Sequence, residues 1–515
     1  MFRGHRQDHH PPLVDTSSPS EVIRPLGPCE IYSSSRHALG FYKCVANTCQ
    51  YSVLRTKLGD RGLHDILETA VANVILATPS LAVGIVGQDG SHPHFVRLPS
   101  IRTEHHIELI NTSRRDTNDS MLLRTLERLH DQPWPEIEQR PPWKLTIILD
   151  NQLSEDEMLV FDAIFTAHHA IVDGRSTSEF HTRLLNELNG PLTPPSELTN
   201  GTLNMARPHD FPPTLEQLIA FSTSWGFLAR TLFRELGPKW LQSGESGSIW
   251  TGAAVTPEPC RTRLRLVIIP AASVPAVLGA CRRHNTTLTA LLHALILLSL
   301  SKNLKPDQAP AFQSSTPIDL RPFVKGHSQS GGTESLFGVY VTAQTHCYKS
   351  DVVAQLRDRP SAAEVWTIAA TLRKSIRQHL DNIPRDDIMS MLGWVTDWKK
   401  FWLSKGGKPR QDTWEVSNIG SMSPSHEESD EPEQRGWKIQ RSIMSQSAMV
   451  AGAAIGISVS GVTGCGINLA LGWQEGIVEE VIVDALTSDL QTWLDHVGHR
   501  DDDFINCSND AVAGN

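Results

Sequence analysis

The chain predicts a mixed-sheet α/β fold built as two halves, and three observations lead there. Its 515 residues exceed the roughly 250–300 that one hydrophobic core usually serves. Strand-like and helix-like periodicities alternate irregularly along it, with hairpin signals among them, the pattern of helices layered on mixed sheets. Near the middle, QSGESGSIWTGAAVTPEP at 242–259 is a small-residue and proline stretch of the kind that separates domains. The expected organisation is a disordered leader over 1–23, a first half over 24–245, a second half over 246–499 and a disordered tail over 500–515. The leader assignment rests on its His, Ser, Pro and Asp content, too polar to build a core.

The elements follow in order. Leu63, Ile66, Leu67, Ala70, Val71, Val74 and Ile75 fall on one helical stripe that Pro79 ends. Leu81 to Val86 reads as a strand. Lys144 to Asp150 and Met158 to Ala167 are strands joined by the polar NQLSEDE, which predicts an antiparallel hairpin. Leu215 to Trp240 mixes large apolar and polar residues; packing on its own half is favoured over a lipid-surface helix. In the second half Leu288 to Leu300 is apolar all round, the mark of a buried helix. Ser361 and Glu364 form a capping box that opens a helix with the stripe Val365, Ile368, Ala369, Leu372 and Ile376. Strands are expected at 413–418 and 437–460, around the acidic SPSHEESDEPEQ, and a last helix from Val478 to Val497.

Composition narrows the function. Lys plus Arg is 47 against 57 for Asp plus Glu, a net −10 that disfavours a nucleic-acid partner. The eight cysteines show no CxxC pair, so neither a zinc cage nor a disulfide framework is indicated. The first fifteen residues contain no apolar signal-peptide core. The longest apolar helix falls short of the about 20 residues a bilayer requires. A monomeric cytoplasmic protein is expected, with peripheral contact at the endoplasmic reticulum or lipid droplets through 215–240 as the open question.

The chemistry-bearing stretch is His168-His169-Ala170-Ile171-Val172-Asp173-Gly174, directly after the apolar MLVFDAIFTA. Ser176 and Glu179 resemble a second capping box, predicting a helix from about Thr177. The histidines thus sit on a strand-to-helix turn. Side chains alternate along a strand, so one imidazole can face a reaction site while the other is buried, and Asp173 can brace the turn. A neutral imidazole suits proton removal from a hydroxyl or amine attacking a carbonyl. A satisfied pair of strand-end histidines is the alternative that spacing alone leaves open.

Competing sites are poorly supported. GHSQS at 326–330 lacks the last glycine of GxSxG. Gly407-Lys408 is followed by Pro409 and has Trp402 where a P-loop needs its first glycine. GVTGCG at 461–466 has the wrong spacing for GxGxxG. Joint metal ligation by His168, His169 and Asp173 is awkward because adjacent strand residues diverge, so no metal is assigned.

HHxxxDG resembles the signature of the coenzyme A-dependent acyltransferase superfamily, which includes chloramphenicol acetyltransferase, plant BAHD acyltransferases and peptide-synthetase condensation domains. The stretches RPLGPCEIYSSSRHALGFY (24–42), RPPWKL (140–145), STPIDLRP (315–322), EVSNIG (415–420), SQSAMVAGA (445–453) and LGWQEGIVEE (471–480) resemble the fungal alcohol acetyltransferase family, in the expected order over most of the chain.

That resemblance implies a two-domain chloramphenicol acetyltransferase-like fold with a tunnel at the interface. It implies an O-acyltransferase with no bound cofactor, moving an acyl group, acetyl above all, from acyl-CoA to a small-molecule alcohol, in volatile-ester formation or secondary metabolism. His169 would be the base, with His168 and Gly174 supporting the turn. Asp173 would turn away and pair with an arginine, for which Arg321 is the candidate. The oxyanion donor stays unassigned, since the DFGWG of the plant branch is absent. Ser417 and Asn418 are candidate tunnel-lining residues. Lys399, Lys400, Lys405, Lys408 and Arg410 are candidates for the phosphates of coenzyme A, against a solvated surface as the bland reading. An amine acceptor, a carrier-bound donor, a hydrolase and a non-catalytic binding protein of the same fold are the alternatives.

Overall fold

The computed structural model describes residues 21–112, 119–150, 158–205, 210–236, 249–324, 336–423, 436–498 and 504–506. Two mixed sheets organise them. The first has five strands in the spatial order Lys438–Gln446, Val45–Leu54, Met158–Ala167, Trp143–Asp150, Ile107–Thr112. The second has six, in the order Thr262–Ile269, Ile467–Gln474, Ala453–Val462, Asp412–Met422, Phe312–Asp319, Val341–Tyr348. Each contains parallel and antiparallel pairs.

Strand chemistry accounts for the first sheet. Met158–Ala167 is a β-branched and aromatic run that lies between Val45–Leu54 and Trp143–Asp150, antiparallel to both, and it is buried over most of its length. Helices Leu63–Leu76 and Gly174–Asn189 cover one face. There Phe165 stacks on Phe180 with centroids 3.8 Å apart, and each such buried ring stabilises by roughly 1.5–3 kcal/mol. On the other face Ala46, Ile164 and Ile443 meet Leu122, Leu126 and Leu129 of helix Ser120–Asp131, together with Leu264 and Ala470 of the second sheet. This cluster joins the halves.

The second sheet packs on helix Leu288–Asn303, whose residues from Ala290 to Ser301 are all buried, as a helix without a polar face requires. Ser361 caps helix Ala362–Asn382 by accepting from the Glu364 amide at 3.2 Å, and the closing helix is Glu480–His496.

Several boundaries differ from the sequence expectation. Pro79 ends its helix but opens a 3-10 turn, Pro79–Ala82, so the strand is only Val83–Val86. The strand expected over 437–460 is two, Lys438–Gln446 and Ala453–Val462, and they enter different sheets. Strand Val22–Pro25 starts inside the expected leader and pairs with His94–Arg97. Phe504, inside the expected tail, is buried against Trp366. The described residues of the 215–240 segment, 215–236, hold two helices, Leu215–Leu218 and Trp225–Leu236. The boundary at 245/246 and the GHSQS stretch lie outside the described residues. No described helix is long and apolar enough to cross a membrane.

The crossing of Lys438–Gln446 positions the site. Gln446 lies opposite Val45, and Val45 and Trp143 both lie opposite Ala167. The borrowed strand therefore ends at the sheet edge where the HHxxxDG turn begins. Met444 donates its amide to Ser460 Oγ at 2.8 Å, and Asn468 donates to the Ser442 carbonyl at 3.0 Å. These bonds tie the crossing strand back to its own half.

Candidate active site

The turn is held first by its backbone. His168 donates its amide to the Pro142 carbonyl at 2.8 Å, and Ile171 donates to the His168 carbonyl at 3.1 Å. Asp173, rather than Ser176, is the N-cap of the helix, which opens at Gly174: its carboxylate accepts the Ser176 amide at 2.8 Å. The cap falls three residues earlier than expected because the Ser176 hydroxyl is committed elsewhere, donating to the Gly338 carbonyl at 2.9 Å. Gly174 packs where a side chain has no room. A Cβ there would lie 2.6 Å from Met444 Cε and 2.8 Å from Ile419 Cγ2.

Asp173 and Arg321 form a buried bidentate pair at 2.9 and 3.0 Å. Arg321 also bonds Asp319, Ser176 and the Leu336 carbonyl, and Asp173 accepts the Tyr340 amide at 2.9 Å. Burial alone would raise the Asp173 carboxyl, but the Arg321 charge and these hydrogen bonds hold it below its ordinary value. The pair clamps the turn of the first half to the segment 319–340 of the second.

His168 is fully buried. Its Nδ1 accepts the Ala170 amide at 2.9 Å, so the neutral ring carries its proton on Nε2, 3.0 Å from the Gln88 side-chain amide. Gln88 also meets His37 Nδ1 at 3.1 Å and Ser34 Oγ at 3.2 Å. With its oxygen turned to His168 and its nitrogen to His37, all four groups are satisfied. His37 lies against His168 with centroids 4.4 Å apart. His168 is thus a support, and its own charged form is suppressed by burial and by the neighbouring imidazoles.

His169 points elsewhere, against Tyr42 with centroids 5.4 Å apart. Its Nδ1 is buried and has no hydrogen-bond partner among the described residues. Nε2 likewise makes no hydrogen bond to the described residues, so the neutral ring has both its proton and its lone pair unspent. Burial first, then the Arg36 charge, push its pKa down to about 4, against smaller raising effects of its own carbonyl and Asp173. The ring is a neutral acceptor at pH 7.

Residues not singled out by sequence reasoning complete the surroundings. Helix Pro28–Ala38 delivers Arg36, whose guanidinium lies 4.2 Å from the Tyr32 ring centroid and 4.7 Å from that of Tyr42. Tyr42 donates to Gln446 Oε1 at 2.9 Å, and the Gln446 amide nitrogen lies 3.3 Å from both Glu415 Oε1 and Ser458 Oγ. Burial pushes the Glu415 carboxyl up to about 7. Their only sequence signal was membership of the stretches 24–42, 415–420 and 445–453.

Ser417 and Asn418 line a cavity of about 330 Å³ together with Asp173, Gly174, Arg321 and Tyr340. His169 is not part of that lining. Asn418 is engaged structurally, donating to Thr289 Oγ1 at 3.0 Å and accepting the Gly420 amide at 2.9 Å. Arg410 departs from its expected role. It is buried, with its donors spent on the Met449 and Ala253 carbonyls and on Gln474, so it braces the fold instead of meeting phosphate. Lys399, Lys400 and Lys408 are exposed, and Lys405 lies over Phe401. Lys399 and Lys400 lie on helix Trp398–Leu403, whose Trp402 donates to Ser35 at 3.0 Å, and Lys405 and Lys408 follow it.

A sequence model of the alcohol acetyltransferase family matches residues 119–487, well over half of the chain. The chain belongs to the alcohol acetyltransferase family. Among similar members, the Fusarium pseudograminearum protein named "Probable alcohol acetyltransferase FCK4" is 28% identical over 488 residues, 93% of this chain and 96% of that protein. The Aspergillus fumigatus protein named "Probable alcohol acetyltransferase crmB" is 28% identical over 474 residues, 88% of this chain and 95% of that one. The solved trichothecene 15-O-acetyltransferase TRI3 of Fusarium sporotrichioides superposes with a TM-score of 0.63 at 12% identity, over 94% of this chain and 99% of that one. The condensation domain of the monacolin K polyketide synthase MokA does so at 0.57 and 10%, over 93% and 98%. Family membership makes the chain an acyltransferase. The structural neighbours identify its architecture as the two-domain chloramphenicol acetyltransferase-like fold.

Proposed function

We propose that this family member is an O-acetyltransferase that moves acetyl from acetyl-CoA to the hydroxyl of a small-molecule alcohol, with His169 as general base. The observation that carries this reading is the imidazole itself. It is half-buried and neutral, and neither ring nitrogen is committed to a partner among the described residues, so Nε2 is left to an incoming group. Nε2 takes the hydroxyl proton while the oxygen attacks the thioester carbonyl. The tetrahedral intermediate collapses by breaking the carbon–sulfur bond, and the imidazolium returns the proton to the departing thiolate. A base with so low a pKa gives little driving force for prior deprotonation, so proton transfer and carbon–oxygen bond formation proceed together. The thioester is already activated, and no acyl-enzyme is required. Arg321 and Asp173 act by holding the turn, and Lys399, Lys400, Lys405 and Lys408 are the basic groups offered to the phosphates of coenzyme A.

The test is purified protein with acetyl-CoA and a panel of alcohols, following thiol release and ester together. Thiol matched by ester is expected, with His169→Ala reducing the rate by about 10²–10⁴. Thiol without ester would identify a hydrolase, and an unchanged rate in the variant would remove His169 from the chemistry.

A further inference from the structure

Two half-buried side chains around Tyr42 and Gln446, Glu415 and Arg36, have few hydrogen-bond partners among the described residues. Strand Asp412–Met422 sends Trp414 and Val416 into the core, so alternation turns Glu415 the other way, toward Gln446 and the crossing strand. The 3.3 Å bond from Gln446 is the one hydrogen bond that the described residues make to the Glu415 carboxyl. Tyr42 spends its hydroxyl on the other end of the same glutamine while its ring lies on His169. Arg36, beside Tyr42, has a buried Nε without a partner, and its guanidinium makes only cation–π contacts among the described residues. A carboxyl placed for stability looks different. Asp173, buried where Glu415 is half-buried, collects two bonds from Arg321 and two from backbone amides. A half-buried acid held by one long bond, on a strand that gains nothing from an acid, has unspent hydrogen-bonding capacity, and Gln446 and Tyr42 link it to the His169 ring.

We propose that Glu415, braced by Gln446, is the acceptor-specificity residue of this site, and that the acceptor is a polyhydroxylated molecule: one hydroxyl meets His169 and a second hydrogen-bonds Glu415. This rests on the reading of His169 as base. A carboxyl that titrates near neutrality both donates to and accepts from a hydroxyl. Gln446 is already saturated by Tyr42, Ser458 and Glu415 itself. A mono-alcohol would leave Glu415 unpaired, and that penalty discriminates against it.

The experiment compares cyclohexanol with the 1,2-, 1,3- and 1,4-cyclohexanediols as acceptors for acetyl-CoA. The wild-type protein should prefer at least one diol by about tenfold in kcat/KM. Glu415→Leu should abolish that preference, lowering kcat/KM for the favoured diol and raising it for cyclohexanol, while the KM for acetyl-CoA stays within about threefold. Glu415→Gln, which preserves shape and hydrogen-bonding capacity, should retain the preference and guards against misfolding of the leucine variant. The groups facing Glu415 are Arg36, Asp412, Tyr42, Gln446 and Ser458. None of these is altered by the substitution. No diol preference in the wild type, or an equal loss with every acceptor in Glu415→Leu, would overturn the proposal. Should no acceptor give His169-dependent thiol release, the base assignment falls. Calorimetric binding of the same alcohols to wild type and Glu415→Leu then decides the specificity proposal: tighter diol binding lost in the variant supports it, and indifference sinks it.

Discussion

Buried Asp173 and half-buried Glu415 are both carboxylates with an arginine in the neighbourhood, yet their surroundings drive them in opposite directions. Asp173 is gripped by Arg321, two backbone amides and the helix it caps, and its pKa is lowered. Glu415 has Arg36 at a distance, no ion pair among the described residues, and a pKa raised to about 7. The two sides of one turn have therefore been treated differently. On the Asp173 side nearly every polar atom has a protein partner, so the geometry is rigid and the carboxylate has little left to offer a ligand. On the His169 side the His169 Nδ1 and the Arg36 Nε are buried without partners among the described residues, as expected where something else will bind.

Breaking the satisfied side should have the largest effect on the fold. Asp173→Ala leaves the buried Arg321 with only the half-exposed Asp319 as counter-charge and should destabilise by about 3–5 kcal/mol in denaturant titrations. The Asp173→Ala/Arg321→Leu double variant should cost less than the sum of the two singles. Simple additivity would mean that the pair does not clamp the halves.

Acid sharpens the same comparison through titration. His106, His181 and His346 have folded-state pKa values pushed by burial to about 4, and His130 to about 3, from an ordinary 6.5. Below pH 6.5 the unfolded chain binds the extra protons, so stability falls as pH drops from there toward the folded values. The slope is up to about 1.4 kcal/mol per histidine per pH unit. Asp173 adds its loss lower still: its stabilisation is present above its ordinary value of 3.8 and disappears as pH falls through the depressed folded one. Denaturant titrations between neutral pH and pH 5 should show this decline, and a flat profile would refute the neutral burial of these rings.

The smallest expected effect probes the open side. Removing the Arg36 charge by Arg36→Leu should raise the pKa of His169, moving the acid limb of kcat/KM upward by less than about one unit. The other groups acting on that ring, Asp173 and its own carbonyl, are unchanged by the substitution. An unmoved limb would place Arg36 outside the field of the base.

Much of the frame was legible from residues that act locally. The hairpin strands Trp143–Asp150 and Met158–Ala167, the buried helix Leu288–Asn303 and the Ser361 cap follow from alternation, all-round apolarity and a serine three residues before a glutamate. Pairing of Asp173 with Arg321 was implied by the family resemblance, and the structure brings the two together. Ser176 was misread as a cap because a sequence pattern cannot show that its hydroxyl is claimed by Gly338. Arg410 was misread as a surface cation because its burial depends on Ala253, Met449 and Gln474, remote in sequence.

By itself the sequence determined some of the strands and helices, the 143–167 hairpin strands and the buried helix Leu288–Asn303 among them, that the chain exceeds one core, and that a histidine pair stands on a strand-to-helix turn. Those properties depend on periodicity, capping and composition over a few neighbouring residues. Only the tertiary structure decided that Lys438–Gln446 leaves its own half to complete the first sheet, and so which polar groups surround His169. Burial and hydrogen-bond satisfaction are sums over neighbours from distant parts of the chain. Arg36, Glu415 and Gln446 acquired their meaning only when three separate segments met beside one imidazole.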